Sequence, residues 1–234
     1  MIITTAITSH DLGAISHLTP ESISLNNSER SAYQPILWNS ICSEYDSINF
    51  YNKISTQKVN YSKGFEQFLP GWLHDETAHT AGFKKIYNLT YGISESVIDK
   101  NLRTRVSDFS TIAEFLEDEF STCLLLAFDE IVTTHVYERS MGFYRKVEST
   151  SLPKWIRKVK ADEARHFINI TKVIKNHHSG SKQSAEKILH RIVEIDAGLT
   201  DYNGTFVLDH SCPEFPLSKG NCTPLQISLP ASAI

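Results

Sequence analysis

Four long stretches of this 234-residue chain carry apolar residues at helical spacing, and each stripe is broken near its middle by a glutamate that the same spacing turns inward. In the first, Leu37, Ile41, Ile48 and Tyr51 form the stripe and Glu44 interrupts it. In the second, Leu73, Phe83 and Ile86 surround Glu76 and His79. The third sets Ile112, Leu116, Cys123, Leu126 and Tyr137 around Glu130, and the fourth sets Ile156, Val159, Ile170 and Val173 around Glu163 and His166. A carboxylate is almost never fully buried unless it is paired. Burying one alone costs roughly several kcal/mol, and four close together also repel one another. A fold that turns these faces inward therefore needs positive charge among them. Two divalent cations supply +4 against −4, and a mixed set of oxygen and imidazole donors suits iron or manganese better than a thiolate-preferring metal.

Helices are expected at about 35–55, opened by Pro35, 70–89, opened by Pro70, 94–106, 112–147, 153–178 and 183–197, with Asp108 or Ser110 capping the long third bundle helix. The 10 glycines and 8 prolines are too few for an all-β chain of this length. The fold class read from this is all-α, with a polar N-terminal arm at 1–34, a bundle at 35–198 and an irregular, Gly- and Pro-rich tail at 199–234. Net charge is −4 with scattered basic residues, which excludes a nucleic-acid surface as the main feature. No run of about 18 apolar residues and no basic leader is present, so a cytoplasmic protein without membrane partners is expected. Cys42 and Cys123 fall in apolar pattern as core thiols, while a Cys212–Cys222 disulfide in the tail is left open and not favoured in a reducing compartment.

Glu-x-x-His places two donors one helical turn apart on one face, so a short segment can chelate. With 16 Glu and 10 His, roughly 0.7 such motifs arise by chance, so a single copy carries no weight. Two occur here, both extended to Asp-Glu-x-x-His, at Asp75-Glu76-Thr77-Ala78-His79 and Asp162-Glu163-Ala164-Arg165-His166. Each follows an inward glutamate at nearly equal distance, 32 positions from Glu44 to Glu76 and 33 from Glu130 to Glu163. The chain repeats a helix pair, the pattern a pseudo-twofold metal site requires.

The ordered set Glu44, Asp75-Glu76-x-x-His79, Glu130, Asp162-Glu163-x-Arg165-His166 resembles the ferritin-like di-iron carboxylate oxidases and oxygenases, over about residues 35–178. Its gaps are most similar to those of acyl-carrier-protein desaturases and of the p-aminobenzoate N-oxygenase group. The chain departs from the latter at Val159, where that group carries a histidine four positions before the last glutamate. The resemblance implies a ferritin-like four-helix bundle holding two iron ions, with Glu76 and Glu163 bridging, Glu44 and Glu130 terminal, and His79 and His166 one on each metal. It also implies that Asp75 and Asp162 hydrogen-bond the imidazole of the opposite motif, against the plain alternative of surface aspartates. Arg165 would balance that negative charge or face solvent.

Thr133 and Thr134 follow Glu130 by three and four residues; a hydroxyl facing the metals would relay a proton, and the alternative is a bond to the preceding turn. His135 lies about 140° around the helix from Glu130 and is not expected to ligate, nor are His74, His177, His178 and His190. Tyr45, Phe83, Phe128, Tyr137 and Phe167 are either pocket lining or plain core. The activity expected is O₂-dependent oxidation of an organic substrate, small or carrier-bound, by hydroxylation, N-oxygenation or desaturation, with O₂ as co-substrate and an external electron donor. Homodimerisation is left open. The alternatives are a ferroxidase or iron-handling protein and a non-catalytic helical interaction module.

Overall fold

A computed structural model describes residues 9–178 and 182–196. In chain order its helices are α1 (Ser9–Leu12), α2 (Asn27–Ser55), α3 (Lys63–Tyr91), α4 (Glu95–Thr104), α5 (Glu119–Val147), α6 (Ser151–His177) and α7 (Lys182–Asp196), with 3₁₀ turns at Gly13–Ile15, Pro20–Ser22 and Ser110–Leu116. Among the described residues there is no strand, and the protein is an all-α bundle. None of these helices is long and apolar enough to cross a membrane. The expected tail, the Ser179–Ser181 break and the Cys212–Cys222 pair lie outside the described residues, whereas Cys42 and Cys123 are buried free thiols as expected.

Three helix starts differ from the sequence reading. Helix α2 begins at Asn27, inside the expected arm, because Asn26 and Glu29 form a reciprocal capping box, each side chain 3.0 Å from the other's backbone N–H. Helix α3 begins at Lys63 behind the Ser62 cap. Pro35 and Pro70 are therefore interior, not first, residues, and each leaves the carbonyl four positions earlier without its helical N–H. Helix α5 begins at Glu119, where Asp118 accepts the Ser121 N–H at 2.9 Å. The expected cap Asp108 instead closes the turn before the 3₁₀ segment, accepting from Ser110 N at 2.9 Å. The arm is less polar in role than in composition, since Ile15, Leu18, Ile23 and Leu25 are buried.

The core is two apolar clusters stacked along the bundle. One contains Phe50, Ile54, Phe65, Trp72, Leu126 and Ile170; the other contains Leu37, Ile41, Phe83, Tyr137, Trp155 and Val159. Chain direction follows from which cluster each helix visits first. Helices α2 and α6 run from the second cluster to the first, and α3 and α5 run the opposite way. So α2 packs antiparallel on α3 and α5 antiparallel on α6, as two hairpins, while one long crossover carrying α4 joins the parallel helices α3 and α5. Every long helix passes from one cluster to the other near its middle, and the inward glutamates occupy that boundary.

Helix α6 starts against a carboxylate that sequence reasoning did not single out. Glu148 Oε2 accepts the Ser151 and Leu152 N–H groups, both at 2.6 Å, and Oε1 accepts the Thr150 N–H at 2.8 Å and its hydroxyl at 2.7 Å. Burial raises its pKa, but these backbone and hydroxyl donors prevail and hold it below the usual carboxylate value. A depressed folded pKa contributes stability above the unfolded value near 4.5 and loses it as pH falls through the folded one. Glu148→Ala should cost about 1 kcal/mol at pH 7. Denaturant melts at pH 7 and pH 3 should show the gap between variant and wild type closing in acid; a gap that stays constant would assign the loss to packing instead.

Candidate metal centre

Glu44 on α2, Glu76 and His79 on α3, Glu130 on α5, and Glu163 and His166 on α6 converge at the boundary between the two clusters, all of them 5% exposed or less. Their ligand-capable atoms form two groups, each with every atom within 4.8 Å of the others. One is Glu44, Glu76, His79 and Glu163; the second is Glu76, Glu130, Glu163 and His166. Glu76 and Glu163 belong to both. Glu163 directs Oε1 to His79 Nδ1 at 3.3 Å and Oε2 to His166 Nδ1 at 3.2 Å. Glu76 likewise directs Oε2 to His79 Nδ1 at 4.0 Å and Oε1 to His166 Nδ1 at 3.3 Å. Glu44 Oε2 and Glu130 Oε2 complete the two sets, 3.2 Å from His79 Nδ1 and 3.1 Å from His166 Nδ1.

Each imidazole thus points one nitrogen at three carboxylate oxygens, although a ring N–H serves one acceptor well. The other nitrogen is already committed. His79 Nε2 lies 3.3 Å from Asp162 Oδ2, and His166 Nε2 lies 3.0 Å from Asp75 Oδ2, so each aspartate reaches the histidine of the opposite motif. An N–H donated to an aspartate from Nε2 leaves the Nδ1 lone pair facing the cluster, the tautomer a metal ligand needs. Arg165 joins the two aspartates, with Nη1 2.6 Å from Asp162 and Nη2 2.8 Å from Asp75. It does so from a half-exposed position.

The fit of cations to this donor set is testable on the protein's own atoms. Glu76 Oε1 is buried and, although 3.3 Å from the His166 Nδ1 that Glu130 and Glu163 also approach, has no hydrogen bond of its own. Such an oxygen costs its full desolvation energy unless something positive meets it. In the absence of a cation the groups hold one another in opposed states. Burial, then the Glu163 charge, pushes Glu76 well above the carboxylate range, and burial pushes Glu130 up to about 8 against the pull of His166. Glu163 sits between the two imidazoles, and their attraction outweighs burial and lowers it to about 2. Burial would lower both histidines, but the carboxylates, Glu163 and Glu44 at His79 and Glu130 with Asp75 at His166, raise them well above their ordinary value. Opposed shifts of this kind are the mark of buried carboxylates and imidazoles too close together for protons to satisfy them well. The residues fit two cations.

Three contacts were not found from sequence. Trp72 Nε1 donates to Glu130 Oε1 at 2.7 Å, and the Tyr137 hydroxyl donates to Glu44 Oε1. Each terminal glutamate therefore has one oxygen tied to an aromatic donor and the other facing a histidine. Lys158 Nζ reaches Asp162 at 2.9 Å, a pair the i, i+4 spacing could have revealed. Of the two threonines, Thr134 bonds back to the Glu130 carbonyl at 2.8 Å, and Thr133 is half-buried. His135 is exposed and His74 faces Asp11 at 3.4 Å. His178 Nε2 meets Glu119 Oε1 at 2.7 Å, and with Cys123 these form a smaller donor group. There Glu119 also takes the Ser62 N–H, and burial pushes the Cys123 thiol well up. No family model, curated protein or solved structure matches the chain.

Proposed function

We propose that the protein is an O₂-dependent oxidoreductase of ferritin-like architecture that holds two iron ions, with manganese the alternative, and oxidises an organic substrate. The observation that carries this reading is the sharing of Glu76 and Glu163, each of which aims one oxygen at each histidine. The single long crossover between parallel helices supports it, being the connectivity of ferritin-like bundles. Two iron ions bound there would supply the redox chemistry by which O₂ is reduced and a substrate oxidised. Glu44 and His79 would hold one ion, Glu130 and His166 the other, with Glu76 and Glu163 between them. Asp75 and Asp162 orient the imidazoles, and the flanking apolar clusters exclude bulk water. Thr133 or Thr134, both half-buried about one turn after Glu130, would supply the hydroxyl that moves a proton at the centre.

Anaerobic addition of Fe²⁺ should give two irons per chain, and admission of O₂ a transient visible absorption. Sustained Fe²⁺ turnover with mineral formation would transfer the reading to iron handling, and absence of bound metal would leave a helical interaction module. Glu130→Ala and His166→Ala should each abolish stable dinuclear loading, whereas His135→Ala, altering an exposed side chain, should not. Full two-iron occupancy in either of the first pair would overturn the ligand assignment.

A further inference from the structure

The repeat that generates the centre is symmetric in its ligands and broken in the residues behind them. An offset of 86 positions relates Glu44 to Glu130, and one of 87 relates Glu76 to Glu163 and His79 to His166. The same offsets place Val159 opposite Trp72 and Tyr51 opposite Tyr137. Val159 has no polar hydrogen to offer Glu44, and that carboxylate is held from across the bundle by Tyr137 instead. At the other half Trp72 holds Glu130, and Tyr51 packs on the apolar cluster.

Access differs behind the histidines, at the two aspartates, while His79 and His166 themselves are both nearly fully buried. A groove of about 330 Å³ between α3 and α6 is walled by Gly71, Trp72, Asp75, Arg165 and His166. It reaches the outer edge of the Glu130–His166 half, where the Asp75 side chain is 22% exposed. At the other half His79 is 1% exposed and Asp162, held by both Lys158 and Arg165, is 6% exposed. A Cβ built on Gly71 meets nothing within 4 Å, so no close packing demands the glycine and its missing side chain leaves the groove open.

We propose that the two halves of the centre are unequal by construction: the ion held by Glu130 and His166 exchanges with solvent through the α3–α6 groove, the ion held by Glu44 and His79 is sequestered, and Trp72 is the positioning residue that keeps Glu130 a one-oxygen ligand at the exchanging half. This rests on the dinuclear reading above. Trp72 is both groove wall and hydrogen-bond donor, so whatever occupies the groove is felt at the Glu130 carboxylate.

The test uses Co²⁺ alone as probe. Protein loaded with two equivalents and challenged with excess chelator should release them in two phases of equal amplitude. Gly71→Leu, which fills the groove from a position with room for a side chain, should slow the fast phase and leave the slow one unchanged. Trp72→Phe keeps the ring and removes the N–H, freeing Glu130 Oε1 to bind the same ion. The coordination number there rises, so the visible absorption lost in the fast phase falls while that of the slow phase stays fixed, and affinity at that half drops by about tenfold. A thermal melt of the metal-free variant checks its fold, and Gly71→Leu decides the question if Trp72→Phe is unstable. Single-phase release from wild type, or a Gly71→Leu effect on both phases or neither, would overturn the proposal. Failure of wild type to bind two Co²⁺ would reject the dinuclear reading itself, a separate result.

Discussion

Glu76→Gln should abolish the uptake of both metal ions and at the same time make the metal-free protein more stable, whereas Glu44→Gln should leave one ion bound. The first half of the expectation follows from sharing. Glu76 is common to both donor groups, while Glu44 belongs to one. Loss of a supporting partner behind a ligand costs roughly 10–100-fold in affinity, and loss of a shared ligand should exceed that at both positions. The second half follows from linkage. Burial and the Glu163 charge raise the folded pKa of Glu76 well above its ordinary 4.5. A group raised on folding contributes its stability below the unfolded value and loses it as pH rises toward the folded one, so at neutral pH this carboxylate works against the metal-free fold. A glutamine of the same shape cannot ionise, so the unfolded chain no longer gains from losing that proton, and it offers an N–H₂ to neighbouring acids. A gain of about 1 kcal/mol, or ~2–4 °C in Tm for a chain of this size, is expected. Metal content after desalting and a chelator-treated melt measure the two effects. A variant that binds both ions would mean that Glu76 is not a shared ligand, and one that binds none but melts lower would overturn the stability half of the expectation alone.

The residues of the candidate centre were legible in the sequence because each is chemically out of place. A glutamate inside an apolar stripe has to be explained, and two copies of Asp-Glu-x-x-His at matched spacing leave few explanations. The helix starts were less legible because the rule that favours proline in a first turn competes with local capping. Asn26 with Glu29, and Ser62, satisfy free N–H groups upstream, and the helices then run through Pro35 and Pro70. The start of α5 was misplaced for a related reason. Ile112 and Leu116 have helical spacing and are buried, but they sit in a 3₁₀ segment, and the cap that matters is Asp118. Trp72 and Tyr137 were not legible as donors to the centre. An aromatic residue at helical spacing reads as core, and both are core. That an indole N–H meets Glu130 and a phenol meets Glu44 depends on the register between helices, which no single-helix pattern encodes.

Gly82→Ala should destabilise the protein and weaken metal uptake together. In an exposed helix this change would stabilise, since glycine costs about 1 kcal/mol relative to alanine. Here the sign reverses. Gly82 is an interior residue of α3, and a methyl built on it would overlap the Cζ2 ring carbon of Trp155 on α6. Trp155 is 2% exposed and its ring stands edge-on to Phe83 at 5.0 Å, so it has no empty space to move into. Relief must come from separating α3 and α6, at a cost of about 1–3 kcal/mol. Those two helices carry both Asp-Glu-x-x-His motifs, and Gly82 lies three residues beyond His79. Spreading them pulls His79 from Glu163 and Asp162, which it meets at 3.3 Å, already the long end of a hydrogen bond. The same substitution at Gly142 on α5, where a methyl meets nothing within 4 Å, is the control and should be neutral or stabilising. Denaturant melts and Fe²⁺ or Mn²⁺ binding isotherms of the two variants separate the cases. If Gly82→Ala matched Gly142→Ala in both, the close approach of α3 to α6 at Trp155 would not be what sets the spacing of the centre.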